Sequence, residues 1–364
     1  MITLIRNWLN RHFSDPQLLA LVFLLLAVAL LILAFGRMLT PVFIAVVIAY
    51  LLDGMVLKLE RWKIPRLPAV IFVYLVFLAG VVVLLVWLLP VLSRQIVQLV
   101  QLLPDIVINL QQELERLPAR YPKMFSEAQI AKVTDYLISE ISTIGQQILT
   151  LSLASMRGLI SLVVYVILVP LMVFFFLKDK VTILSWLKGF LPEERVLATE
   201  VWHEVNLQAA NYIRGKIWEI LIVWGATYAA FAFLGLRFAL LLSFFAGLSV
   251  LVPYIGAAVM YVPVALVAYF QWGASVEVLY VVLAHAVIQI VDGNLVAPLL
   301  ISDVVNMHPV AVIVAVIVFG SLWGLWGLIF AIPLATLVHA VIKAWFKRVE
   351  EVRKAEGTNP VPSA

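Results

Sequence analysis

"QIVDGNLVAPLL", Gln289 to Leu300, sets an amide, a carboxylate, a glycine and a proline into sequence that is otherwise hydrocarbon-like. The segment carrying it, Val276–Val296, is long enough to cross a bilayer as helix, which takes about 20 apolar residues. Composition says that it does cross. Of 364 residues 64% are apolar and 13% charged, against roughly 45–50% and 25% in soluble domains. The fold class is therefore an all-α polytopic integral membrane protein. A net charge of +4, carried mostly by short loops, speaks of topology and not of nucleic acid. With no cysteine, disulfides, thiol catalysis and Cys-ligated metals are excluded.

About eight membrane segments are expected. Leu18–Phe35 reads as a retained first span, Pro41–Leu57 as a second and Pro68–Leu89 as a third. The loop "KLERWKIPR" holds Lys58, Arg61, Lys63 and Arg66 against Glu60, so it is cytoplasmic, as is the N-terminus. Residues 1–90 form a three-span unit. Residues 91–154 change character. Ile96, Leu99, Val100, Leu103, Val107, Leu110 and Leu114 make one amphipathic stripe, and Ile130, Val133, Leu137, Ile141, Ile144 and Ile148 a second. Such stripes pack on a neighbouring helix, on the membrane surface or on another copy. Residues 155–214 hold the span Gly158–Leu177 and a cytoplasmic surface helix ending at "NYIRGK". Residues 215–345 form a core with broken helices, and 346–364 a basic cytoplasmic tail.

That core contains two interrupted stretches. Residues 238–270 are broken by "LVPYIGA" at Pro253 and Gly256, and 309–340 by "GSLWGLWG" with Gly320, Gly324 and Gly327. Each follows one unbroken span, Ile217–Leu236 and Val276–Val296, so the two units are a possible inverted repeat. Broken helices leave backbone groups that hydrocarbon cannot satisfy, and these survive only against protein or a watery cavity. Re-entrant hairpins and kinked full spans both fit the pattern.

On Val276–Val296, residues His285, Gln289, Asp292 and Val296 share one helical stripe. An ionisable group inside the membrane costs roughly 2.5–3.5 kcal/mol at the centre. A His–Asp pair on neighbouring turns could relay protons or bind a cation, or could hydrogen-bond a neighbouring helix. The candidate substrate- or ion-binding residues are Asp292, Asn294, Gln289, His285, Pro253, Tyr254, Gly256, Gly324 and Gly327. Glu277, Arg237 and His308 read as boundary or turn residues, and Trp323 with Trp326 as packing or an interface belt.

The motifs "PYIG" at Pro253–Gly256, "DGNLVAPLL" from Asp292, "NMHP" at Asn306–Pro309 and "GSLWGLWGLIFAIPLATLV" from Gly320 resemble the autoinducer-2 exporter (AI-2E) family of transporters. The resemblance is closest to the permeases of that family, and "FFFLKDK" and "NYIRGK" extend it over most of the chain. It implies an inner-membrane, homo-oligomeric secondary transporter without ATPase parts. Some relatives are associated with export of a signalling molecule and others with sodium–proton antiport, so it does not fix the substrate. The motif residues it transfers are Pro253, Gly256, Asp292, Asn294, Pro298, Pro309, Gly324, Gly327 and Pro333, and it attaches no catalytic role to them.

The expected function is secondary-active transport of a small solute or ion, coupled to a proton or sodium gradient, with its site between the broken helices. No catalytic residue, metal or cofactor is expected; the partners are the substrate, the lipid bilayer and further copies of the chain. A non-transporting envelope scaffold is the alternative. An intramembrane serine protease built on Ser249 and His285 is disfavoured, because Val250 stands where the usual glycine follows the serine. A primary pump is disfavoured because no G-x-x-x-x-G-K-[ST] loop occurs.

Overall fold

A computed structural model describes residues 16–116, 155–189, 196–253, 255–301 and 308–343, with separate positions between 118 and 143. Among these the chain is helical and no strand occurs. Five helices are long and apolar enough to cross a membrane, with shorter apolar helices beside them. The chain is thus an all-helical, multi-pass membrane protein.

The first helix, α1 (Pro16–Arg61), runs unbroken for 46 residues with Pro41 inside it. Two separate spans were expected here, at Leu18–Phe35 and Pro41–Leu57. A proline removes only one helical donor and is tolerated in membrane helices, and an unbroken helix has its ends on opposite sides of any layer it crosses. The two crossings reduce to one, and the local reason for placing the N-terminus beside the basic loop is lost. Next, α2 (Arg66–Val83) passes through a π-turn at Leu84–Leu88 into α3 (Leu89–Glu115). Pro90, just after that turn, lacks the donor its carbonyl partner needs, and the wider turn absorbs the mismatch. The span and the first amphipathic stripe are therefore one rod. The second stripe lies largely outside the described residues.

The helix α4 (Ser155–Lys178) is followed by α5 (Lys180–Lys188). Ala45, Ala49 and Val56 of α1, Val70 and Val73 of α2, and Val169, Val173 and Leu177 of α4 bury one apolar core. Its polar end is clamped by Asp53, whose carboxylate lies 2.8 Å from Lys180 Nζ and 3.5 Å from Arg66. Arg66 also reaches Glu60 and donates to the Leu177 carbonyl.

The helix α6 (Val196–Phe233) is continuous over 38 residues, so the expected surface helix and the span from Ile217 merge. Helices α7 (Ala239–Ser249) and α8 (Ile255–Trp272) form a hairpin. At its open end the Gln271 side chain accepts from Arg237 N and donates to Gly235 O. Leu242 and Ala246 of α7 share a core with Met260, Val264 and Ala268 of α8. Helix α9 (Val276–Val291) continues through a π-turn at Asp292–Val296 into α10 (Ala297–Ile301). Gly293 and Pro298 thus deform this span without ending it. Helices α11 (Pro309–Trp323) and α12 (Leu325–Ile329) turn about Gly324, at φ 59°, and α13 (Ala331–Lys343) continues the return arm. Val312 of α11 packs with Ile332 of α13, making a second hairpin. Both interrupted stretches are hairpins, not kinked full spans.

Candidate functional site

Helices α6 and α9 run antiparallel. Gly215 abuts the Leu300 carbonyl and Ile301 at one end of the pair, and the Phe231 ring lies 6.0 Å from His285 toward the other. This register sets Tyr212, Lys216, Glu219, Val223, Thr227 and Phe231 of α6 along the face that meets His285, Gln289 and Asp292.

Three ionisable residues lie along that seam. Lys216 and Glu219 are buried one turn apart, 8% and 2% exposed. Lys216 Nζ lies 2.8 Å from Glu219 Oε2 and 2.9 Å from Oε1, with the hydrogen bond aligned on Oε1. It also donates to the Val250 carbonyl at 2.9 Å. Val250 closes α7 at the tip of the first hairpin, where helix end carbonyls lack partners. Asp292 opens the π-turn, is 7% exposed, and its Oδ1 has no hydrogen-bond partner. Tyr212, one turn before Lys216, is buried with an unpartnered hydroxyl. It packs with Ile301, Val312 and Ile332. The first hairpin therefore reaches the charged turn of α6 with its tip, and the second touches that region from its open end.

The expected residues divide accordingly. Asp292 and Gln289 face the seam, and Gln289 Nε2 has no partner there. His285 shares their face but is fully buried among rings, with Tyr261 at 4.8 Å, and neither ring nitrogen is hydrogen-bonded. It lies two turns from Asp292. Asn294 is exposed, and its Nδ2 donates to Ile290 O of its own helix. Pro253 and Gly256 are at the first tip, where a Cβ on Gly256 would strike the Ser249 carbonyl. Tyr254 lies outside the described residues. Gly324 turns the second hairpin, and a Cβ on Gly327 would strike the Phe319 carbonyl.

Lys216, Glu219 and Tyr212 were not singled out from the sequence. Assigning a boundary between a surface helix and a span at 216–217 put Lys216 outside the membrane. A signal was present: the positions 212, 216, 219, 223, 227 and 231 keep helical spacing straight across that boundary.

A sequence model described as "AI-2E family transporter" matches residues 18–347. The chain is 41% identical over 345 residues to "Putative permease PerM" of Escherichia coli strain K12, spanning 95% of this chain and 98% of that protein. It is 27% identical over 320 residues to "Putative transport protein YueF" of Bacillus subtilis strain 168, spanning 86% and 85%. It is 23% identical over 312 residues to "AI-2 transport protein TqsA" of Escherichia coli strain K12, spanning 85% and 86%.

Proposed function

The chain belongs to the AI-2E family of transporters, and from that membership we propose secondary-active transport of a small solute or ion across a bacterial inner membrane, driven by a proton or sodium gradient. Its relatives carry the names of permeases and transport proteins, not of enzymes. The observation that carries the reading is the buried Lys216–Glu219 pair at the tip of the first hairpin, with Asp292 buried and unpartnered on the facing helix. Charges are expensive in hydrocarbon and mark solute or ion paths. An interrupted helix adds backbone carbonyls that bind cations or polar groups.

In this mechanism Asp292, Gln289 and Glu219 line the solute path between α6 and α9. The first hairpin swings its tip about the open end fixed by Gln271. The second hairpin enters from the opposite end of the α6–α9 pair, so the two act as alternating barriers of an inverted repeat. The loop Trp62–Pro65 and the C-terminus lie on the cytoplasmic side, and further copies of the chain cover part of the apolar surface.

Purified protein in proteoliposomes, under imposed proton or sodium gradients and a panel of solutes, tests the proposal. Asp292→Asn is expected to lower gradient-driven flux at least about tenfold, within the 1–3 kcal/mol typical of coupling between sites. Gradient-independent flux, or full flux in Asp292→Asn and Glu219→Gln alike, would sink it.

A further inference from the structure

The ammonium of Lys216 touches two kinds of oxygen at once, the Glu219 carboxylate and the Val250 carbonyl. The second is a C-terminal carbonyl of α7, the negative end of a helix dipole. On the facing helix Asp292 is buried too, and its Oδ1 has no hydrogen-bond partner. The donors are all hard oxygens, the set that suits alkali cations as well as an ammonium.

We propose that the Lys216 ammonium is the resident occupant of a cation site, pinning the first hairpin's tip to α6, and that a free monovalent cation releases the tip by displacing it. Lys216 is then a positioning residue, a tethered competitor for the cation. The idea rests on the transporter reading only in supposing that the hairpin tip moves. Its tests read binding and accessibility, not flux, so the two can fail separately.

Thermal unfolding of the full-length protein in detergent is measured in Na⁺ against N-methyl-D-glucamine at equal ionic strength. Lys216→Gln frees the oxygens, so it is expected to gain a saturable Na⁺-dependent rise in melting temperature well above that of the wild type. Lys216→Gln with Glu219→Gln is expected to lose it. The chain has no cysteine, so Val252→Cys places a single thiol at the tip for maleimide labelling. Na⁺ should speed its labelling severalfold with Lys216 present. Should Lys216→Gln fail to fold, this labelling decides alone. Equal Na⁺ stabilisation of wild type and Lys216→Gln, no Na⁺ response in either, or labelling indifferent to Na⁺ overturns the proposal.

Discussion

His285 and Asp292 share one face of α9, yet their surroundings differ. His285 is enclosed by Tyr261 and Phe231 with both nitrogens unpaired. A buried, unsatisfied polar group costs about 1–3 kcal/mol, so exchange for an apolar ring tests whether those nitrogens are used. His285→Phe is expected to raise the melting temperature in detergent and to leave transport intact; a large loss of either would show that the nitrogens matter. Lys216 is the opposite case. Removing it in the absence of a substitute cation leaves Glu219 buried without its counter-charge, a cost of about 3–5 kcal/mol. With N-methyl-D-glucamine replacing all alkali cations, Lys216→Met should therefore lower stability more than the double change Lys216→Met with Glu219→Gln, read by thermal unfolding. Neither distinction was legible in the spacing of the residues, because burial and pairing depend on the helix opposite.

The hairpins depend on glycines where two backbones touch. A Cβ on Gly247 would lie 2.7 Å from Trp224 Cβ and 2.9 Å from the Ile220 carbonyl, so α7 could not seat on α6. At Gly256 and Gly327 the added carbon would meet the opposing Ser249 and Phe319 carbonyls, and backbone yields less readily than a side chain. Gly256→Ala and Gly327→Ala are expected to destabilise by about 1–3 kcal/mol, the usual cost of overpacking. Gly80→Ala meets nothing within 4 Å and should be neutral or stabilising by roughly 0.5–1 kcal/mol. Equal melting temperatures for all three would refute the close approach at the tips. The interruptions themselves were readable from Pro253, Gly256 and the Gly320–Gly327 run, since helix breaking is a property of the residue. Whether the chain turns back after the break was not readable, since contacts such as Gln271 with Gly235 decide it.

Across the whole molecule, α3 braces the first hairpin: Gln95 accepts from Leu241 N in the first turn of α7, and Leu88 and Leu92 pack on Leu241. The rod α2–α3 leaves the basic loop 58–66 and arrives at the open end of that hairpin. Under the proposed cytoplasmic placement of that loop, the first hairpin opens outward and the second inward. Single cysteines in this cysteine-free chain test the arrangement. Ala274→Cys should react with an impermeant maleimide in right-side-out vesicles, and Trp62→Cys and His339→Cys in inverted ones. Reaction of Ala274→Cys and His339→Cys from the same side would overturn it. Large apolar side chains such as Phe72, Trp87, Ile167 and Ile317 stay exposed in the isolated chain, and lipid or further copies must cover such area in a membrane.

The amino-acid sequence by itself determined the membrane class, the basic loop and the two points where helices must break. Those follow from solvation and backbone chemistry that each residue carries locally. The tertiary structure decided that both breaks are hairpins. It also decided that Lys216, an apparent surface charge, sits buried against Glu219 and the hairpin tip. Such outcomes are energies of contact between segments distant in the chain: spacing such as 212, 216 and 219 marks a common face but not what that face meets.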